Sequence, residues 1–478
     1  MARHFITIRA LTVTALAAFI VASFFSYAWM TIQSLRATAP IFADGIVFGF
    51  LDAIRHGRLY QREALDKLPL NILTHTPLSY WASYAASTLA PGAFWPLRAI
   101  NLFATIGCAA LLAFYIRFDA RHSILAALVA PAVFLVAQPV FLWSHVCRSP
   151  DAFATLFSLA ALLTQRKLAP GPRRVLVVSL FAVLAVLSKQ TELATLTLIL
   201  LYDSATRREW RQAFLILGIQ CLALGLFCGF MQLATNGGFW INIVGGNHLP
   251  IQLDEFLFIT LHEIGPAFWA ACLVAVGLSL SGKRGLGLPW FLISTLVGLA
   301  TVGKLGSGSM YFFDTSAALG LIVAEALPRE DDDSWRKQTT IALFVALMAA
   351  HGVRTHPLAY QLTLPVYSAA YENLIETLRK CGGKVLADDA SIPISLGQEA
   401  AWDDPFVFNA LEHSGRWDPA PLTRAVQKRE FEFVVMRTAG WWPSPVQEVI
   451  RANYDFSFGE SSSAVGHYLV YRLKKTSP

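Results

Sequence analysis

Long apolar runs separated by short basic connections recur from the N-terminus to about residue 353, and this pattern constrains the fold more than any single motif. The first run follows MARHFITIR and ends near Met30. Others lie near 92–116, 123–143, 150–164, 174–188, 191–203, 213–233, 256–281, 288–303, 311–327 and 339–353. A helix needs roughly 20 apolar residues to cross hydrocarbon squarely. Several runs are shorter, and the pair 174–188 and 191–203 reads as a hairpin that does not fully cross. Of the 478 residues 55% are apolar and only 15% charged, against about 25% charged in soluble domains. A bilayer absorbs this much apolar sequence; one soluble core does not. The expected fold is mainly α, a polytopic transmembrane helical bundle of about eleven spans.

The basic residues orient that bundle. With the N-terminus in the cytoplasm and the spans alternating, inside loops receive Arg117 and Arg121, Arg166 and Lys167, Arg207 and Arg208, Lys283 and Arg284, and Arg336 and Lys337. Short outside loops keep little beyond Arg148, Lys189 and Lys304. This asymmetry is the positive-inside pattern. It puts the polar segment 32–91 and the C-terminus outside, with the protein multi-pass in the inner (plasma) membrane. The basic start and apolar run of a signal peptide are present, but the run is long enough to span and no clear small-residue cleavage site follows, so it reads as a retained first helix.

From about residue 354 the composition turns soluble. KVLADD, FEFVVM and HYLVYRL read as short strands, and 363–380 and 444–453 as helices, which makes 354–478 a small extracytoplasmic α/β domain beside a membrane domain of 1–353. The net charge of +6 is spread over loops with no long basic tract carrying aromatics, so no nucleic-acid partner is expected. The six cysteines show no C-x-x-C or Cys/His ligand spacing, and four lie in apolar runs, which argues against a disulfide framework or structural zinc.

Ionisable groups close to a membrane face are costly and call for a reason. Asp44 and Asp52 stand about two helical turns apart in FADGIVFGFLDAI, followed by Arg55, Arg58, Arg62 and Lys67 and then His75 in HTPLSY. A carboxylate can take an acceptor's proton and cations can stabilise a departing phosphate; an interfacial amphipathic helix with solvated charges explains the same residues. Arg148 and Asp151 are three apart in HVCRSPDAF, as an N-cap ion pair or a site. Asn247 and His248 close a Gly-rich turn without phosphate-loop spacing. Lys304 and Tyr311, with Asp314, lie in GKLGSGSMYFFD, where small residues let backbone amides and an ammonium approach a phosphate. Lys189, in LSKQTE, has Glu192 on the next turn as its local partner.

The ordered set ADGI…RHGRLY…HTPLSYW, RSPDAFATLFSLAALL, LSKQTELATLTLILLY, GGFWINIVGGNHLPI and GKLGSGSMYFFD resembles the GT-C glycosyltransferases, in particular the protein O-mannosyltransferase and ArnT-like branch, over roughly residues 10–330. The resemblance implies a membrane enzyme of the cell envelope that transfers a hexose or pentose, with inversion, from a polyprenyl-phosphate sugar to a hydroxyl of a glycolipid, polysaccharide or protein at the outer face. Asp44 matches the first acid of the family's first-loop Asp-Glu motif, whereas Gly45 stands where the second would be. Arg148 and Asp151 match its Arg-x-x-Asp element. On this reading Asp44 is catalytic, orienting or deprotonating the acceptor hydroxyl. Arg55, Arg58, Arg148 and Lys304 neutralise the donor phosphate, with Asp151, His75, Asn247, His248, Tyr311 and Lys189 nearby. No cofactor is certain; a divalent metal is conceivable, although one carboxylate makes a sparse site for a hard cation. A transporter or flippase for a lipid-linked solute shares the spans and charges, but calls for polar groups near the midplane rather than at one face. A scaffold presenting the C-terminal domain leaves the charges unexplained.

Overall fold

The computed structural model describes residues 2–41, 44–119, 123–147, 150–280, 285–327, 335–361, 365–437, 442–462 and 466–475. Each expected apolar run forms helix. They are α1 (Ala2–Arg36), α4 (Trp95–Phe114), α5 (Ile124–Val136), α6 (Gln138–Trp143), α7 (Pro150–Lys167), α8 (Pro172–Ser188), α9 (Glu192–Thr206), α10 (Trp210–Ala234), α13 (Pro266–Leu280), α14 (Gly287–Val302), α15 (Phe313–Ala326) and α16 (Trp335–Gln361). Between them α2 (Asp44–Arg55) and α3 (Pro77–Ser87) shape the first loop, and the short pieces α11 (Gly238–Trp240) and α12 (Leu253–Leu257) continue as π-helical turns to Gly245 and Ile264. The chain is a mainly helical membrane protein.

Among the described residues three helices are long and apolar enough to cross a membrane, Ala10–Arg36, Trp95–Phe118 and Trp210–Ala234. The expected span 256–281 is instead broken, Leu253–Ile264 meeting Pro266–Leu280 at 80°. The break falls at Gly265, whose φ of 87° suits only glycine, directly before the proline that cannot continue the preceding helix. The expected run 123–143 is likewise divided between α5 and α6, where Ala137 takes an extended conformation ahead of Pro139.

The perimeter and the interior differ in chemistry. α10 exposes Phe214, Leu222, Leu226, Phe230 and Leu233, an apolar surface suited to lipid. By contrast every residue of α15 except Glu325 is buried, although the helix begins with Asp314, Thr315 and Ser316. A helix surrounded by protein can carry such groups because its neighbours satisfy them. At Gly320 an added Cβ would lie 2.5 Å from the carbonyl oxygen of Ala130 on α5, so the close approach of these helices depends on glycine.

The C-terminal unit begins at α17 (Pro365–Cys381), after α16 has run past the expected boundary at 354. Its sheet has the order β1-β2-β4-β3, with β1 (Val385–Ala387) parallel to β2 (Phe433–Met436), and β4 (Gly466–Leu473) antiparallel to both β2 and β3 (Tyr454–Ser462). The three expected strands are present. β3 is additional, as are three short helices, α18 (Ser391–Ser395), α19 (Pro405–His413) and α20 (Ala420–Gln427); α21 (Ser444–Asn453) matches the expected helix at 444–453.

This unit is knitted into the first loop. Leu70 bridges Trp402 in parallel, and the Leu70 N–H donates to the Ala401 carbonyl at 2.8 Å. Asp403, fully buried, accepts from the Ile72 N–H at 2.9 and 3.1 Å. Gly45 and Gly49 lie one turn apart on α2 and face the unit; a Cβ at 49 would meet Asp403 Cβ at 2.5 Å, and one at 45 would run into the Asp389 carboxylate.

Burial, reinforced by adjacent Asp404, pushes the Asp403 carboxyl well above the usual carboxylate range. A raised folded-state value stabilises at acid pH, below the ordinary aspartate value, and that contribution disappears as pH rises through the raised value. Asp403→Asn, which has no charge to bury, should flatten the decline of melting temperature with rising pH in detergent. Asp403→Ala should cost about 1–3 kcal/mol at every pH by leaving the Ile72 N–H unpaired. A pH profile identical in parent and Asn variant would refute the coupling.

Candidate functional site

Asp44 opens α2 and is completely buried against Arg98 of α4. Its Oδ2 accepts from Arg98 Nη2 at 2.7 Å, Arg98 Nε at 3.2 Å and the Ile41 N–H at 3.0 Å, and its Oδ1 from the Cys147 N–H at 2.6 Å. The remaining guanidinium protons go to the carbonyls of Ser34, Ala37 and Ala39 at 2.6–2.8 Å. Among the described residues, every contact of the Asp44 carboxylate is thus to Arg98 or to a backbone N–H. The expected general base has the contacts of a positioning residue: it joins the end of α1 to the segment entering α7. Arg148 lies outside the described residues.

Three residues after Arg148, Asp151 begins a second cluster. It forms a buried ion pair with Lys189 from the α8–α9 connection, so the partner of Lys189 is Asp151 and not the neighbouring Glu192. Lys189 Nζ stands 4.2 Å from the centroid of the Tyr311 ring, and Lys304 Nζ 6.0 Å from the same centroid. Lys304 donates to Asn247 Oδ1 at 2.9 Å and hydrogen-bonds the Tyr311 hydroxyl. Asn247 in turn donates to the Thr74 carbonyl, which also receives Gln190 Nε2 at 2.9 Å. The connection around Lys304 is fixed by the bridge between Ile251 and Lys304 and by the Leu305 N–H donating to the Pro250 carbonyl at 2.9 Å. Residues 74, 151, 189, 247, 304 and 311 thus meet from five separate segments.

Asp151, Lys189 and Tyr311 line a small cavity, which also reaches Glu192 and Asp314. Ser158 donates to Glu192 at 2.9 Å and Thr155 donates to Asp314. The two lysines differ in state. Lys189 is neutralised by Asp151, whereas half-buried Lys304 has, among the described residues, no carboxylate partner and is held by an amide oxygen and a phenol. An ammonium held by neutral groups at the edge of a cavity is suited to receive an anion.

The other expected residues stand elsewhere. Arg55 is exposed at the end of α2. Arg58 is committed to Asn71 Oδ1 at 3.2 Å, Asp52 Oδ2 at 3.4 Å and Glu399 Oε1 at 2.5 Å, so it braces the C-terminal unit against the first loop. Buried His75 is fixed through its backbone, its N–H donating to the Tyr80 hydroxyl at 3.2 Å and its carbonyl receiving the Tyr60 hydroxyl. His248 exposes its ring, and its carbonyl accepts from Arg416.

One group among the described residues has ligand types and spacing for a cation: Asp52, His56 and Glu399. His56 Nδ1 lies 3.3 Å from Asp52 Oδ1 and 3.9 Å from Glu399 Oε1. Burial pushes the Asp52 carboxyl up, against the pull of His56 and Arg58. The set does not fit a divalent ion, because the Arg58 guanidinium already occupies oxygens of both carboxylates.

ArnT from Cupriavidus metallidurans has the same architecture. Its crystal structure bound to undecaprenyl phosphate superposes with a TM-score of 0.63 at 13% identity, covering 95% of this chain and 97% of that one. Its apo structure gives 0.62 at 12% identity, covering 95% and 98%. The expected GT-C fold is thus the one observed. No protein-family model and no curated protein sequence matches the chain.

Arg98 and Thr74 were not singled out from sequence. Arg98 carried a readable signal, a lone cation in the apolar run WPLRAINLF; Thr74 contributes a backbone carbonyl and carried none. Asp44→Ala would strand Arg98 as an unpaired buried charge, at a cost of about 3–5 kcal/mol. It should sharply lower the melting temperature and yield of purified protein; a variant that melts with the parent would show that the pair does not support the fold.

Proposed function

We propose that this protein is a GT-C glycosyltransferase that moves a sugar from a polyprenyl-phosphate donor to an acceptor hydroxyl at the outer face of the inner membrane. The observation that carries the reading is Lys304, which among the described residues has no carboxylate partner and bonds to Tyr311, a wall of the cavity that Asp151 and Lys189 also line. The solved relative of like fold is bound to undecaprenyl phosphate, a ligand that pairs an anionic head with a chain for the bilayer. The positive-inside pattern supports an extracytoplasmic site and an extracytoplasmic C-terminal domain.

In the proposed reaction the acceptor oxygen bonds to the anomeric carbon as that carbon's bond to the phosphate oxygen breaks. Attack from the face opposite the phosphate inverts the configuration, and the electron pair leaves with polyprenyl phosphate. Lys304 and the Tyr311 hydroxyl stabilise the charge that develops on the departing oxygen. The acceptor's proton passes to a carboxylate, and Asp151 is the best placed, because it lines the cavity and Lys189 orients it; Asp44 acts through the backbone it holds.

The test is incubation of purified protein with a panel of polyprenyl-phosphate sugars, scored by release of free polyprenyl phosphate. Asp151→Asn should lower the rate by about 10²–10⁴-fold, the usual contribution of a general base. Lys304→Met should lower it by about 10²–10³-fold, as for loss of one oxyanion-stabilising group. Donor left intact across the panel would favour transport over transfer, and parental rates in both variants would move the chemistry away from this cavity.

A further inference from the structure

Three exposed arginines, Arg173, Arg208 and Arg211, gather at the end of the bundle remote from Lys189. We propose that they and the groove beside them bind an anionic phospholipid of the leaflet on that side. The proposal goes beyond the transferase reading and does not rest on it. Helix length gives the placement. Lys189 joins α8 to α9 at one end, and Arg173 and Arg208 lie at the other ends of the same two helices. The 17 residues of α8 separate the two ends by about 25 Å.

A buried knot brings the start of α10 to the same corner. Arg174, 1% exposed, donates to Glu209 Oε2 at 2.6 Å and to Gln212 Oε1 at 2.7 Å. Arg173, Arg208 and Arg211 are the chain neighbours of Arg174, Glu209 and Gln212, so the knot collects them. It also takes up the local acids. Asp203 pairs with Arg166 at 2.7 Å, and Glu209 with Arg174 at 2.6 Å and Arg207 at 3.4 Å. Among the described residues Arg173, Arg208 and Arg211 are left without an ion pair. Planar guanidiniums in that state bind phosphate bidentately. Orienting a membrane protein calls for basic residues at this face, but not for a knot that withdraws the acids from among them.

The adjoining surface suits the rest of a lipid. A groove between α9 and α10 is lined chiefly by Leu200, Leu201, Ala213, Ile216 and Leu217. It begins beside the knot: Ala213 follows Gln212, and Ser204 in the groove wall receives Gln165 Nε2 at 3.0 Å, while the Gln165 carbonyl accepts from Arg174 at 3.1 Å. Trp210, 50% exposed, stacks on exposed Phe214 at 6.3 Å between centroids, an aromatic pair of the kind found where head groups meet chains. A phosphate on the arginines with an acyl chain in the groove satisfies the charge and the apolar surface together. Basic pockets between membrane helices bind anionic head groups in this way. A lipid held here braces the α8–α9 pair, whose far connection sets Lys189.

Native mass spectrometry of the full chain in neutral detergent provides the test, with dioctanoyl phosphatidylglycerol, dioctanoyl phosphatidylcholine and glycerol 1-phosphate as probes. Phosphatidylglycerol should bind at least about tenfold more tightly than phosphatidylcholine, the effect of two basic residues on an anionic head group. Glycerol 1-phosphate, which has no chains for the groove, should bind at least about tenfold more weakly than phosphatidylglycerol. Arg208→Gln/Arg211→Gln should abolish the preference between the lipids, whereas Arg117→Gln/Lys167→Gln, which removes the same charge from other helix ends, should keep it. Leu201→Trp, which fills the groove, should weaken phosphatidylglycerol and keeps the test open if the arginine variant does not melt with the parent. Equal binding of the two lipids, equal loss of preference in both double variants, glycerol 1-phosphate binding as tightly as the lipid, or parental affinity in Leu201→Trp overturns the proposal.

Discussion

The buried pair of Asp44 and Arg98 is the interaction on which the rest of the site depends. Arg98 uses all of its N–H groups inside the protein, on Asp44 and on three carbonyls where α1 ends. A guanidinium can be buried in a low-dielectric interior only when its donors are satisfied in this way. The arrangement ties together α1, α2 and α4, and through the Cys147 N–H it also holds the segment leading into α7. Asp151 starts that helix and pairs with Lys189 in the cavity wall. One buried ion pair thus helps set where a second, the one lining the cavity, forms.

The same helix start accounts for the departure at Gly45. A side chain at 45 would collide with the carboxylate of Asp389, which the C-terminal unit brings against α2 and anchors on the Ser391 N–H at 3.0 Å. Where the resemblance would place a second acid, this chain has a glycine with an aspartate from another part of the molecule directly over it. With Gly49 one turn on and Asp403 on the Ile72 N–H, α2 is clasped between bundle and C-terminal unit. The unit is therefore part of the frame around the site.

What could be read in the sequence follows from the range of each interaction. Helices in hydrocarbon need sustained apolar sequence, so every run was legible, as were the strands with unbroken Val and Leu. β3, YDFSFGESS, alternates aromatic and polar residues but is diluted by glycine, serine and acids, and it was missed. The break at Gly265-Pro266 was written in the residues and obscured by the apolar run around it. Pairings were the least legible. Glu192 is close to Lys189 in sequence, yet Asp151, 38 positions away, is the partner; helix-spacing rules do not reach between elements. Asp151, Lys189, Asn247, Lys304 and Tyr311, from separate connecting segments, do meet, whereas Arg58 is drawn off by Glu399, which no pattern in the first loop announces.

The contrast between Lys189 and Lys304 bears on how such a site can work. Two unpaired ammonium groups flanking one tyrosine ring would repel each other strongly in a medium of low dielectric. Pairing Lys189 with Asp151 removes most of that repulsion while leaving the lysine to orient the carboxylate. Lys304 is half-buried, held by the side-chain oxygen of Asn247 and the hydroxyl of Tyr311, so water can solvate it when no anion is bound and a phosphate can replace that water. In the proposed reaction, fixed dipoles around a partly solvated cation would provide an electrostatic receptor that needs no large rearrangement as charge moves onto the leaving oxygen. A carboxylate in the place of Asn247 would have cancelled that field.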